Sequence, residues 1–130
     1  EGNGGVILPA LHHTRDAPLA CALILQHLAS EGVSPSEAAA RWPSYESVKE
    51  KVSSPRASLA DGYAALAADL EAESSDASDG LRLAWPSKKA WLHVRPSGTE
   101  PVVRLIAEAS DREAAKQLVD RAGALLQGVA

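Results

Sequence analysis

Between Leu81 and Ala109 three apolar runs follow one another with very little chain between them. Leu81, Leu83 and Trp85 alternate with polar or small residues, as in a half-buried strand. Trp91–Arg95 is a second run and Val102–Ala109 a third, and Pro86-Ser-Lys-Lys89 between the first two has the composition of a hairpin turn. A parallel pair needs a crossover of about a dozen residues or more. No such length is available here, so the three runs are confined to an antiparallel meander. This constraint narrows the fold more than any other feature of the chain.

The flanking segments supply what the meander packs against. Leu59, Tyr63, Leu66 and Leu70 recur at helical spacing behind Ser58-Leu-Ala-Asp61, which opens that helix. Ser110-Asp-Arg-Glu113 has the form of a capping box, and Ala115, Leu118, Val119, Ala122, Leu125 and Leu126 behind it fall on one face. Tyr45–Ser54 places Val48 and Val52 on one side and Lys49 and Lys51 on the other, the pattern of an edge strand. Glu71–Gly80 is acidic and rich in serine and is expected to be a mobile loop. The expected fold is therefore α+β. A four-stranded, mainly antiparallel sheet over residues 42–130 carries two helices on one face.

Residues 1–41 have a different style. Glu1-Gly-Asn-Gly-Gly5 is a glycine-rich turn, and Val6-Ile-Leu8 is expected to form a short buried strand ended by Pro9. Asp16 is placed to cap a helix with Pro18 in its first turn. Leu19, Leu23, Ile24, Leu25 and Leu28 give that helix a broad apolar face, and Gly32 stops it. Cys21 is expected to fill a core position. Ser34-Pro-Ser-Glu37 is a capping box for a shorter helix, broken at Trp42-Pro43. This segment is expected to be the strand-helix end of a separate α/β domain. The chain has no initiator methionine and opens on loop residues, as a truncated piece or a cleaved product would.

Composition excludes several classes of function. The formal net charge of −4 lacks the basic excess that a general nucleic-acid binder needs to displace counterions. The single cysteine allows no intrachain disulfide and fits a reducing, cytoplasmic setting. No signal peptide and no apolar run of membrane-spanning length is present. A local anion pocket remains compatible with an acidic chain.

Arg95-Pro-Ser-Gly-Thr-Glu-Pro101 is the sharpest chemical signal. It joins two apolar strands but is too long for a minimal hairpin. Arg95 offers a planar, permanent charge suited to phosphate. Ser97 and Thr99 add hydroxyl donors, and Gly98 permits close backbone approach with N–H groups turned inward as a small anion nest. Arg104 on the following strand adds a second cation. The same residues also suit an ordinary surface turn. Glu1 and Asn3, a carboxylate and an amide in a glycine-rich turn, suit hydroxyl groups of a polyol. His12 and His13 are adjacent and point apart, which makes a poor metal pair. His93 shares a strand face with Arg95, where a structural role is expected.

Trp91-Leu-His-Val-Arg-Pro-Ser-Gly-Thr-Glu-Pro-Val-Val-Arg104 closely resembles the C-terminal phosphate-binding loop of the α-D-phosphohexomutases. Glu1-Gly-Asn-Gly-Gly5 is similar to the sugar-specificity loop of that superfamily, and Arg15-Asp16-Ala17 before an apolar helix fits some of its archaeal and bacterial members. The two motifs stand in the right order, about ninety residues apart, and the resemblance covers nearly the whole chain. It implies that residues 1–41 end the third of four domains and that residues 42–130 are the fourth. It also implies an isomerase that interconverts hexose 1-phosphate and hexose 6-phosphate. A phosphoserine, an Mg²⁺ ion and a hexose 1,6-bisphosphate intermediate take part. Arg95, Ser97, Gly98, Thr99 and Arg104 are then expected to hold the phosphate that is not reacting, and Glu1 and Asn3 to contact sugar hydroxyls.

The phosphoserine loop and the Asp-rich metal loop of the family have no counterpart in this chain. No catalytic or metal-binding residue is therefore expected here, and the chain alone is expected to be inactive. Its partners would be the phosphorylated hexose and the missing N-terminal domains. Gly5 stands where many family members carry a His. A competing reading is a non-catalytic phosphosugar-binding or interaction module that has kept the fold.

Overall fold

The computed structural model describes residues 5–53 and 58–128. The chain forms two compact units, Glu1–Pro43 and Ser44–Ala130. Glu1 and Asn3, and with them most of the expected sugar loop, lie outside the described residues.

The first unit holds two helices. Helix α1, Ala17–Glu31, begins where the Asp16 carboxylate accepts the Leu19 N–H and ends at Gly32 in the left-handed conformation (φ 64°). Helix α2, Pro35–Ala40, has a complete capping box between Ser34 and Glu37. Val6–Leu8 was expected to be a strand and is not one. Val6 and Ile7 are exposed. A strand exists through a ladder to a neighbour, and the described part of this unit contains no strand to pair with. The Val6 carbonyl instead accepts the Asp16 N–H at 3.1 Å, which closes the intervening turn. Cys21 is exposed rather than a core filler, because α1 buries none of its residues.

The second unit is built on one sheet. Its strands are β1 (Glu46–Ser53), β2 (Ser74–Asp76), β3 (Leu81–Trp85), β4 (Ala90–Pro96) and β5 (Val102–Ala109). The order is β1-β5-β4-β3-β2, and every pairing is antiparallel. The β3-β4-β5 meander follows from the short connections, and a single 3-10 turn at Pro86–Lys88 makes the first of them. The sheet has five strands where four were expected. The fifth, Ser74–Asp76, lies in the segment expected to be a loop and pairs with Arg82–Ala84. It is fully polar and exposed, and only the unpaired edge of β3 makes it a strand.

Helices α3 (Leu59–Leu70) and α4 (Arg112–Gln127) cover one face. Paired residues on antiparallel strands point to the same side, so Val48, Ala107, Leu92 and Leu83 form one row and Leu105, Val94 and Leu81 another. These rows meet Leu66 of α3 and Ala115, Val119, Ala122 and Leu126 of α4 in one core. Arg121 ties the helices together through two hydrogen bonds to the Asp69 carboxylate, at 2.5 and 2.9 Å. The cap of α4 is Asp111, one residue beyond the expected Ser110, and it accepts the Ala114 N–H at 2.8 Å. Neither α3 nor α4 lies on the other face of the sheet, which carries Arg95 and Arg104.

Candidate functional site

The alternation of β4 and β5 that buries Leu92, Val94, Val103 and Leu105 turns Arg95 and Arg104 to the opposite face. The register places these two arginines directly across from each other, and Lys51 of β1 directly across from Arg104. Three cations therefore share one cross-strand row. Like charges directly opposite are destabilising by themselves, so the row needs anions.

Two are supplied internally. Glu100 accepts a hydrogen bond from Lys51 at 2.7 Å, and Asp79 accepts one from Arg95 at 3.1 Å. The Lys51 hydrogen bond, then its charge, holds the Glu100 carboxyl below its ordinary range; desolvation opposes this, and the Arg104 charge assists. Arg104 is less well served. Its Nη2 reaches the neutral Ser97 hydroxyl at a long 3.5 Å, and its Nε is buried without a partner among the described residues. A guanidinium held in this way is undersatisfied by the described residues.

The loop above the row is fixed at its base. The Ser97 N–H donates to the Val102 carbonyl at 2.9 Å, and the Val102 N–H to the Glu100 carbonyl at 2.8 Å. The Thr99 N–H points back to Ser97 Oγ at 3.5 Å. Ser97 is half-buried, while Gly98 and Thr99 at the tip are exposed. Gly98 does not lie among the glycines with positive φ, and a Cβ built on it would meet nothing within 4 Å. Neither the turn nor packing among the described residues requires glycine there. The structure thus gathers Arg95, Ser97 and Arg104 in one place, with Gly98 and Thr99 at its open rim.

Two participants escaped the sequence reading. Lys51 was read only as the solvent side of an edge strand, and Asp79 as part of a mobile loop. The Asp79-Gly80 pair just before β3 is a turn signal that marks a specific backbone path, but its contact with Arg95 is not visible in the sequence. His93 donates from Nε2 to the Asp79 carbonyl at 2.6 Å, a structural task. In the first unit His12 accepts the Thr14 N–H at Nδ1 and donates from Nε2 to Asp16 at 2.9 Å, so it braces a helix cap.

Among the described residues no group of three or more His, Cys, Asp or Glu could hold a metal ion, and no helix is long and apolar enough to cross a membrane.

Comparison with known proteins gives a consistent result. Residues 48–124 match the family described as phosphoglucomutase/phosphomannomutase, C-terminal domain. The chain is 36% identical to a phosphoglucosamine/phosphogalactosamine mutase of Sulfurisphaera tokodaii, over 98% of this chain and 28% of that protein. It is 33% identical to a phosphoglucomutase/phosphomannomutase of Thermococcus kodakarensis, with the same two shares. Among solved structures it resembles the N-acetylphosphoglucosamine mutase of Aspergillus fumigatus, crystallised with GlcNAc-6P and magnesium. The TM-score is 0.58 at 22% identity, covering 91% of this chain and 22% of that one, and this likeness concerns the fold. The chain spans little more than a quarter of the length of the two relatives named here.

Proposed function

Because the chain belongs to the phosphoglucomutase/phosphomannomutase C-terminal domain family, we propose that its second unit grips the phosphate of a hexose or hexosamine phosphate inside a larger mutase. The observation that carries this reading is the row Lys51–Arg104–Arg95, in which Arg104 remains undersatisfied beneath a loop with two hydroxyl side chains.

The proposed whole enzyme transfers a phosphoryl group from a phosphoserine to the sugar phosphate and recovers the other phosphate after the bisphosphorylated intermediate turns over. Such transfers are catalysed chiefly by positioning and charge stabilisation. Whichever phosphate is not reacting must be held in both orientations of the sugar. A grip made of two guanidinium groups and two hydroxyls recognises the phosphate and ignores which carbon bears it. Arg95 and Arg104 supply the charge in this scheme, and Ser97 and Thr99 donate to phosphate oxygens. The space beside Gly98 admits the anion to the backbone. Glu1 and Asn3 are proposed to meet sugar hydroxyls. Mg²⁺ would supply charge neutralisation at the reacting phosphoryl group, with ligands outside the described residues.

The first unit is proposed to be the end of the sugar-binding α/β domain, with the remainder of that domain covering α1. The chain by itself is expected to have no mutase turnover, and measurable turnover by the purified chain would contradict this.

The test of the grip is titration of the chain with glucose 1-phosphate. The expected result is binding that weakens about tenfold or more in Arg95→Ala and in Arg104→Ala and falls steeply with added salt. Binding that survives both substitutions unchanged would remove the loop from the site.

A further inference from the structure

The segment between β2 and β3 passes beside Arg95, and the phosphate grip proposed above gives it no role beyond the charge of Asp79. Three observations fix its path. The Ser78 N–H donates to Asp76 Oδ1 at 2.8 Å, which forms a tight turn. Gly80 follows at φ 78°, and a Cβ built on it would lie 2.4 Å from the Val94 carbonyl and 2.9 Å from Arg95 Cβ. Asp79 then makes two contacts to one face of β4. Its carbonyl accepts from His93, and its carboxylate accepts from Arg95 Nη1 at 3.1 Å.

We infer that Asp79 is a positioning residue, which aims the Arg95 guanidinium at the bound phosphate. The inference rests on the reading of the hairpin as an anion site. An exposed ion pair of this kind adds little to stability; the Arg95 and Asp79 side chains are 38% and 66% exposed. Partial neutralisation of the cation row is therefore a weak reason for a carboxylate beside an anion site. Orientation does. Arginine on its own is a long, freely rotating side chain, and a partner on Nη1 fixes the plane of the fork. The backbone bond to His93 and the close passage of Gly80 keep that partner at a set distance.

The sign of one measurement separates this role from plain electrostatics. Removing a negative charge near an anion site tightens binding by Coulomb's law alone. Removing a positioning group loosens it. The experiment is titration of the full 130-residue chain with inorganic phosphate and with glucose 1-phosphate, followed by NMR. The variants are Asp79→Ala, Asp79→Glu, Arg95→Ala, Arg104→Ala and the double variant Asp79→Ala/Arg95→Ala.

We expect Asp79→Ala to weaken phosphate binding about fivefold with an almost unchanged melting temperature. Asp79→Glu should recover part of that loss. In the Arg95→Ala background the Asp79→Ala substitution should weaken binding no further, because a positioning effect acts through Arg95 alone. If Asp79→Ala binds phosphate equally well or more tightly while both arginine variants bind weakly, the inference is overturned and the anion site stands. If the wild type shows no phosphate-dependent shift, or the arginine variants bind as it does, the site reading fails and the inference with it.

Discussion

Helices α1 and α4 are nearly equal in length, at 15 and 16 residues, and their circumstances are opposite. Helix α4 keeps Ala115, Val119, Ala122 and Leu126 in the core and turns Glu113, Lys116, Asp120 and Arg121 outward. Helix α1 has apolar residues around most of its circumference, yet it buries none of them. Leu23, Ile24 and Leu25 stand exposed, and Leu23, Ile24 and Leu28 join Ala38 and Trp42 around an open groove of about 330 Å³. A helix that is hydrophobic all round belongs in an interior. The two helices teach that an apolar pattern states a demand for burial, and that only partners can satisfy it. Helix α4 satisfies its demand among the described residues, and helix α1 does not.

The largest expected effect tests that contrast directly. Leu92 and Leu105 are fully buried, whereas Leu25 is 65% exposed. Leu92→Ala or Leu105→Ala should cost about 2–5 kcal/mol in urea unfolding followed by tryptophan fluorescence, through lost burial and a cavity. Leu25→Ala should stay within about 0.5 kcal/mol, as an exposed position does. A comparable loss at Leu25 would mean that α1 is covered in solution, and sedimentation would then show the chain self-associating through that apolar face.

A second contrast sets Gly80 against Gly98. Gly80 has a positive φ and a backbone oxygen in the path of any Cβ, whereas Gly98 has neither constraint. Gly80→Ala should destabilise by about 1–3 kcal/mol, from left-handed strain and the forced retreat of β4. Gly98→Ala should leave the melting temperature almost unchanged and weaken phosphate binding, because only a guest fills that space. An unaltered phosphate affinity in Gly98→Ala would place the anion elsewhere in the loop.

The parts of the molecule that were legible in sequence are those whose cause is local. The caps Asp16, Ser34 and Ser58 act within three residues, and the meander follows from connection lengths. The core stripe of α4 is a periodicity. The misreadings have non-local causes. Ser74–Asp76 has no apolar residue to announce a strand, and it exists because β3 offers it an edge. Val6–Leu8 has the residues of a strand but no partner among the described residues. The candidate site divides in the same way. Arg95, Ser97 and Arg104 lie within one hairpin and could be listed together from sequence. Lys51 reaches the site through the β1–β5 register, and Asp79 through a contact spanning 16 residues, so neither was visible until the sheet was assembled.

The smallest expected effect returns to α1, at its cap. The Asp16 carboxyl lies below its ordinary value of 3.8, first through the Leu19 N–H bond and then through the His12 hydrogen bond and charge, against a desolvation that raises it. A carboxyl with a depressed folded value contributes stability that is present above its unfolded value and is lost as pH falls through the folded one. Acidification below about pH 4 should therefore fray the first turn of α1. Asp69 and Glu100 in the second unit are depressed too, by Arg121 and Lys51, so a whole-chain signal would mix the two regions. Residue-resolved NMR separates them. The amide of Leu19 should shift through the acid range in the wild type. In Asp16→Asn it should stay in place, because asparagine caps without titrating. An identical acid response in that variant would assign the fraying to another group.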